Sequence, residues 1–204
     1  MAQALPDDSR VTSHRLSSDL ALGRDIPPRF YSLQLLDQMR MEAWQRLLFL
    51  ECGDGWIVEE AWRRARRGYA CGVDTSATLV ARATALRGVP GTLEFKTWDG
   101  SRLPYPSAFF QRVISTFALE RCSDPAEMCA EIRRVLQPGG DVYLLELDRL
   151  AGLNEIAKSL VAMVQTVGFH EPEEVTLREV VLDGGERAAA IMVHARATDL
   201  PRVA

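Results

Sequence analysis

Histidine and cysteine are scarce in this sequence, and their spacing excludes two common kinds of site. The 204 residues include three histidines and four cysteines, and no two of the cysteines form a Cys-x-x-Cys pair. Zinc sites and disulfide frameworks need such residues clustered at short spacing. We therefore expect no metal site and no disulfide scaffold.

Long apolar runs and an excess of basic charge are also missing. No apolar run approaches the roughly 18 residues of a membrane span, and Met1 to Arg10 has no signal-peptide core. The net charge is −4, and the main basic run, Arg63 to Arg67, ends a predicted helix that begins with Glu59 and Glu60. That placement suits a solvated helix better than a nucleic-acid surface. We expect a soluble, cytoplasmic protein with neither nucleic acid nor membrane as its partner.

What the sequence does have is the composition of one globular domain. Apolar residues make up 47% and charged residues 25% of the chain, and both values are ordinary for a folded protein. Residues 1–29 are polar, and the Pro27-Pro28 pair forces an extended break before the core begins. We predict a partly ordered N-terminal arm or lid over 1–29 and a single domain over 30–204.

The stretch Leu47 to Trp56 predicts a strand, a tight loop and a helix. Four apolar residues in a row indicate a strand that is buried on both faces, and Gly53 and Gly55 then form a turn before a helical pattern near Ile57. Such a unit points backbone N–H groups and the positive end of the helix dipole out of the sheet, where a nucleotide-like or carboxylate-bearing ligand can bind. By itself, however, Gly-x-Gly after a strand also fits an ordinary turn.

Two acidic residues follow the next two predicted strands. Asp74 ends the strand that starts at Tyr69 and lies about 20 residues past the glycine loop, which is the spacing of acids that bind ribose hydroxyls. Asp99 follows the strand Thr92 to Lys96 and suits a donor such as an exocyclic amine. Asp74 could also cap the helix from Ser76, and Asp99 with the next glycine is a good turn pair.

The remaining patterns complete an α/β sheet with a reversed last strand. Helices are predicted over Phe30 to Arg46, Ser76 to Arg87, Asp124 to Leu136 and Leu153 to Val167, and further strands over Gln111 to Thr116, Asp141 to Leu147, Glu174 to Leu182 and Arg187 to Ala195. Asp183-Gly184-Gly185 between the last two strands is a hairpin signal. We predict a Rossmann-like three-layer sandwich, with a mostly parallel seven-stranded sheet and an antiparallel C-terminal hairpin strand.

Four segments in this order resemble the class I S-adenosylmethionine-dependent methyltransferases, most closely the small-molecule branch. They are Cys52 to Trp56, Gly72 to Ser76, Trp98 to Tyr105 and Ile132 to Gly140, and the likeness runs from about Leu47 to Arg196. The resemblance implies S-adenosylmethionine as cofactor, methyl transfer to an unidentified small molecule and no requirement for a metal. It also implies that the glycine loop lies beneath the methionine part, Asp74 at the ribose and Asp99 near the adenine amine.

The resemblance further implies a set of cofactor contacts in the glycine loop and at the strand ends. These are Glu51, Cys52, Gly53, Gly55, Asp74, Thr75, Trp98, Asp99, Gly100, Thr116 and Phe117. Catalysis in this family is mostly proximity and orientation, because the sulfonium is already a strong electrophile. No general base stands out, since Tyr31, His14 and Glu120 are only nearby polar residues for which a structural role is the better interpretation.

The segment around the glycine loop departs from the family pattern in either of two possible alignments. In the alignment that keeps Cys52 to Trp56 in register, which we adopt, the family's acidic residue falls on Phe49 and its first glycine on Glu51. In the other alignment Glu51 is the acid, and the third glycine falls on Ile57. A Glu side chain could clash with the cofactor or repel its carboxylate, or it could turn toward the cofactor's ammonium. We expect weakened binding.

Two other functions compete with methyl transfer. A degenerate member of the fold could act as a scaffold or regulatory partner, because Phe49, Glu51 and the polar pair Gln111-Arg112 depart from the family pattern. A nicotinamide-dependent oxidoreductase is disfavoured because Val58 stands where its third glycine belongs and the closing hairpin disagrees with its sheet. The sequence leaves the oligomeric state open and is compatible with a protein partner or a homo-oligomer.

Overall fold

Helices and strands alternate along the part of the chain that the computed structural model describes, which is residues 29–65, 68–119, 122–148, 155–181 and 187–198. The described helices are α1 Arg29–Gln38, α2 Trp56–Arg64, α3 Ala77–Arg87, α4 Pro125–Val135 and α5 Glu155–Thr166. The described strands are β1 Arg46–Leu50, β2 Tyr69–Asp74, β3 Leu93–Thr97, β4 Phe110–Thr116, β5 Leu136–Asp148, β6 Phe169–Val181 and β7 Arg187–Ala197.

These seven described strands form one sheet in the order β3-β2-β1-β4-β5-β7-β6. Strand β1 pairs in parallel with β2 and β4, and β3 and β5 extend the parallel part on either side. Strand β7 runs antiparallel to both β5 and β6. The predicted fold class, a mostly parallel sheet with a reversed last strand, is confirmed. Because β1 to β5 share one direction, their C-terminal ends form a single edge.

Apolar clusters on the two faces of the sheet account for the three layers. On one face, Leu47 and Phe49 of β1 pack with residues of α1, α2 and α3. On the other face, Leu48 and Leu50 pack with residues of α4 and α5. Successive side chains of a strand point to opposite faces, so a central strand that is covered by helices on both sides has no polar position. This is why four apolar residues run together before the glycine loop.

Capping residues fix the starts of α3 and α4. The Asp124 carboxylate accepts hydrogen bonds from the N–H groups of Ala126 and Glu127, each at 3.0 Å, and proline takes the first helical position. The Ser76 hydroxyl accepts from the Leu79 N–H at 3.4 Å and caps α3. Both helix starts lie where the sequence predicts them.

Three element boundaries differ from the sequence prediction by five residues or more. Helix α1 ends at Gln38 rather than Arg46, because the chain then turns, with Trp44 in the left-handed region at φ 70°. Strand β5 begins at Leu136, because Leu136 already pairs with Phe110 of β4, so the Pro-Gly-Gly segment lies within the strand. Strand β6 begins at Phe169 rather than Glu174, because pairing with β7 extends to that residue.

Several predictions concern residues outside the described ranges. Residues 1–28 of the predicted arm and the Asp183-Gly184-Gly185 turn are among them, as are His14 and Glu120. The division into an arm over 1–29 and a domain over 30–204 therefore stays a prediction.

Candidate functional site

The C-terminal ends of the parallel strands meet at the point where the strand order reverses. Strand β1 lies between β2 and β4. The chain first forms β2 and β3 on one side of β1 and then forms β4 and β5 on the other side. In open α/β sheets, ligands bind in the crevice outside such a point. The predicted site residues, from the glycine loop to Asp74, Asp99 and Thr116, all lie at or just beyond this edge.

The loop after β1 is built on left-handed backbone. Glu51, Gly53 and Gly55 have φ angles of 49°, 56° and 77°. A Cβ atom at Gly55 would lie 2.5 Å from the Phe95 ring, so this position requires glycine for space as well as for backbone conformation. Helix α2 begins at the next residue, Trp56, and its N-terminus therefore borders the loop.

Asp74 fastens the loop to the tip of β2. Its Oδ2 accepts the Gly53 N–H at 2.8 Å, and its Oδ1 accepts the Ser76 N–H at 2.8 Å. The side chain is only 2% exposed. The contact with Ser76 agrees with the alternative that Asp74 serves the helix start. Each carboxylate oxygen has two lone pairs, however, and each can still accept a hydroxyl donor.

Arg87 clamps the same loop from the end of α3. Its Nε donates to the Asp54 carbonyl at 2.9 Å, and its Nη2 and Nη1 reach the carboxylates of Asp54 at 3.3 Å and Glu59 at 2.6 Å. Arg29 of α1 lies 3.7 Å from the Asp54 carboxylate and 5.2 Å from the Trp56 ring centroid. These contacts were not predicted, because sequence spacing gives no signal for a partner 33 residues away.

The side chain of Glu51 contacts Trp98, the residue that follows β3. The carboxylate is 6% exposed, and its Oε1 accepts the indole N–H of Trp98 at 3.2 Å. Trp98 follows β3 and is itself 6% exposed. The left-handed φ of Glu51 is a conformation that glycine adopts readily, in agreement with the alignment that puts the family's first glycine here.

Asp99 is exposed in the turn after β3. Its Oδ1 accepts three hydrogen bonds, from the Ser101 N–H at 2.9 Å, the Ser101 hydroxyl at 2.9 Å and the Arg102 N–H at 3.0 Å. These bonds, led by the one from the Ser101 backbone, lower the pKa of Asp99. The predicted turn role of Asp99 and Gly100 is confirmed, and Gly100 has a φ of 85°. Thr75, the neighbouring predicted contact, is exposed as well.

The end of β4 provides buried polar groups at the same edge. Thr116 is buried, and Phe117 has a φ of 58° and donates its N–H to the Leu145 carbonyl at 2.7 Å. Within the described part of the molecule, the hydroxyls of Ser115 and Thr116 have no hydrogen-bond partner. Glu146, two residues before the end of β5, accepts the Leu119 N–H at 3.0 Å and was not predicted. An acidic residue within an otherwise apolar run was its only sequence signal.

No candidate nucleophile or metal site emerges from the described residues. Burial above all, and then the nearby Asp74, raises the pKa of the Cys52 thiol well above its usual value, so the thiol stays neutral near pH 7. The described ranges contain no group of three or more histidine, cysteine or acidic side chains that could hold a metal ion. Across the same ranges, no helix combines the length and apolar content needed to cross a membrane.

Comparison with known proteins relates this geometry to a family. Residues 48–144 match the family model described as a methyltransferase domain. A demethylmenaquinone methyltransferase from Chlamydia trachomatis is 29% identical over 154 residues, which cover 76% of this chain and 65% of that protein. The ubiquinone/menaquinone biosynthesis C-methyltransferase UbiE of Pseudomonas putida is 28% identical, over 48% of this chain and 46% of that protein. A third or more of each relative therefore lies outside the match.

Solved structures agree at the level of the fold. Phosphoethanolamine N-methyltransferase 2 from Haemonchus contortus, in complex with S-adenosyl-L-methionine, matches with a TM-score of 0.71 and 14% identity, covering 92% of this chain and 57% of that chain. Strand order, the reversed β7 and the match over residues 48–144 agree: this chain has the fold of the class I S-adenosylmethionine-dependent methyltransferases and is similar to them in sequence.

Proposed function

We propose that this protein transfers the methyl group of S-adenosylmethionine to a small-molecule acceptor. The contact between Gly53 and Asp74 carries the proposal. It holds a left-handed loop against a buried acid at the next strand tip, through a 2.8 Å hydrogen bond. A ligand with vicinal hydroxyls joined to a polar chain suits such a pair, because the acid accepts from the hydroxyls while the loop backbone lines the chain.

The residues at this edge fit the cofactor. Asp74 retains acceptor capacity for ribose hydroxyls, Gly53 and Gly55 allow close approach of the methionine part, and exposed Asp99 can accept from an exocyclic amine. When bound, S-adenosylmethionine supplies a methyl group that the sulfonium has already activated. The task of the protein is then to hold the cofactor and the acceptor in line and to exclude water.

The acceptor would lie beside the ends of β4 and β5. Thr116 provides a buried hydroxyl at that point, and Phe117 is fixed there by its hydrogen bond to Leu145. Glu146 holds the segment that follows β4 through the Leu119 N–H. These groups would form the part of the crevice that binds the acceptor. None of them is required to activate the cofactor.

The names of the relatives suggest which acceptors to test first. One relative is by name a ubiquinone/menaquinone biosynthesis C-methyltransferase, another is a demethylmenaquinone methyltransferase, and one solved neighbour is a phosphoethanolamine N-methyltransferase. A soluble demethylmenaquinone analogue and phosphoethanolamine therefore represent the two acceptor types. Formation of S-adenosylhomocysteine in the presence of either one, above the level without an acceptor, would identify the type.

Cofactor binding tests the proposal without knowledge of the acceptor. Calorimetric titration of the wild-type chain with S-adenosylmethionine should show one saturable site, and Asp74→Asn should weaken it about tenfold, since a charged hydrogen-bond acceptor is lost. Glu60→Gln is the matched control, because Glu60 pairs with Arg64 on the surface of α2. Equal affinity of Asp74→Asn and the wild type would contradict the assignment of the ribose site.

A further inference from the structure

Glu51 places a carboxylate inside the crevice from a position that suits glycine. Its backbone is left-handed at φ 49°, whereas strand residues have negative φ, so Glu51 does not continue the backbone geometry of β1. The carboxylate is 6% exposed and is held by the Trp98 indole at 3.2 Å. Glu51 is therefore a fixed part of the crevice and not a solvated surface charge.

The direction of the side chain decides which part of a ligand it can contact. Glu51 starts at the tip of β1, and its carboxylate reaches the residue that precedes Asp99, beyond the tip of β3. Strand β2, which carries Asp74, lies between these two strands. The contact thus joins the glycine loop to the segment that carries Asp99, so the carboxylate lies among the positions proposed for the cofactor.

Two carboxylates, those of Asp74 and Glu51, act on the Cys52 thiol in this loop. Burial is the main cause of the raised pKa of the Cys52 thiol, and the charges of Asp74 and Glu51 add to it in the same direction. A negative field favours a cationic ligand over a neutral ligand of nearly the same shape. S-adenosylmethionine and its product, S-adenosylhomocysteine, are such a pair, because they differ by one methyl group and by the charge on sulfur.

We propose that Glu51 is a specificity-determining residue that makes this site prefer S-adenosylmethionine over S-adenosylhomocysteine. Its carboxylate stabilises the sulfonium charge, which lies between the adenosine and the methionine chain, and gains nothing from the neutral thioether of the product. The site then releases its product readily and is weakly inhibited by it. This inference rests on the proposed function, because it assumes that the crevice holds the cofactor.

The test is the ratio of two dissociation constants, measured by calorimetry for S-adenosylmethionine and S-adenosylhomocysteine. Glu51→Gln removes the charge but retains an oxygen that accepts the Trp98 N–H, so folding should persist. We expect the preference for S-adenosylmethionine to fall about tenfold in Glu51→Gln, mostly through weaker S-adenosylmethionine binding. Glu51→Gly also removes the charge and suits the left-handed backbone, so it repeats the test if the first variant unfolds.

Glu60→Gln serves as the control, because the same chemical change on the surface of α2 should leave the ratio unchanged. An equal loss of affinity for both ligands would mean that Glu51 contacts the ammonium that they share, and it would overturn the inference while the proposed function stands. An unchanged ratio would overturn it as well. Failure of the folded wild-type protein and both variants to bind either ligand would instead contradict the proposed function itself.

Discussion

The tips of β2 and β3 carry one acidic residue each, but the two acids are held in different ways. Asp74 is 2% exposed and links two segments, the glycine loop through Gly53 and the start of α3 through Ser76. Asp99 is exposed, and its partners among the described residues are Ser101 and Arg102 of its own turn. One acid is part of the tertiary structure, whereas the other is a local turn residue.

This difference separates stability from ligand binding. A change at the tip of β2 should affect both, because two backbone N–H groups lose a buried acceptor. A change at the tip of β3 that retains the turn should affect ligand affinity and leave stability unchanged. The variants below test this division in order of decreasing expected effect.

Asp74→Ala should have the largest combined effect, because it changes ligand affinity as well as stability. We expect the affinity for S-adenosylmethionine to fall by at least about tenfold, and the free energy of unfolding to fall by about 1–3 kcal/mol, because the Gly53 and Ser76 N–H groups lose their acceptor. Calorimetric titration and urea denaturation measure the two effects. Loss of affinity without loss of stability would show that the two contacts of Asp74 do not hold the loop.

Gly55→Ala should reduce the free energy of unfolding by about 2–4 kcal/mol, because a new Cβ would overlap the Phe95 ring in addition to straining the backbone. Gly139→Ala is the matched control. Gly139 also has a positive φ, of 71°, but a Cβ there meets no atom within 4 Å. Urea denaturation should therefore show that the free energy of unfolding of the control falls by only about 1 kcal/mol. Equal costs for the two variants would refute close packing between the loop and β3.

Asp99→Asn should have a smaller and purely local effect. Asparagine keeps an oxygen that accepts from Ser101 and Arg102, so the melting temperature should stay within about a degree. The affinity for S-adenosylmethionine should fall about threefold, because a charged acceptor for the exocyclic amine becomes neutral. A fall in melting temperature comparable with that of Asp74→Ala would remove the distinction between the two tips.

Glu131→Gln should show the smallest effect, and only above acid pH. The Glu131 carboxylate accepts the Leu103 N–H at 2.9 Å and bonds to Arg134, and the contact with Arg134 is the main reason that the pKa of Glu131 lies below its usual value. A lowered pKa in the folded state stabilises the protein above the unfolded value and loses this effect as pH falls.

Thermal unfolding between about pH 3 and pH 6 checks this sign. Wild-type protein should be slightly more stable than Glu131→Gln near pH 6, and the difference should shrink as the carboxyl group is protonated. A constant difference across this range would show that the charge of Glu131 plays no part. Glu60→Gln, which changes an acid on the surface of α2, controls for general charge effects.

The sequence was sufficient for the fold because its signals are local. A continuous apolar run, glycine spacing, an N-cap aspartate and a closing pair of strand patterns each depend on a few neighbouring residues. The error at α1 has the same origin. The apolar periodicity continued through Ala43 to Leu47, but Leu47 belongs to β1, and the intervening chain forms a turn around Trp44.

The site was predictable only where two of its parts are separated along the chain by a spacing that is typical of the fold. The glycine loop and Asp74 lie about 20 residues apart by a rule of the fold, and the structure brings them into contact. The clamp of Arg87 on Asp54 and the bond between Trp98 and Glu51 join residues far apart in the chain, and no periodicity encodes such pairs. For the same reason the sequence suggested that Glu51 could clash or turn toward a ligand, whereas the structure shows it bonded to Trp98.

The most direct test is a calorimetric titration of the folded wild-type protein with S-adenosylmethionine. The joined tips of β1 and β2 predict one saturable site in the micromolar range, which corresponds to about −8 kcal/mol. Absence of heat up to millimolar ligand, in a sample whose thermal unfolding is cooperative, would contradict cofactor binding at this edge of the sheet.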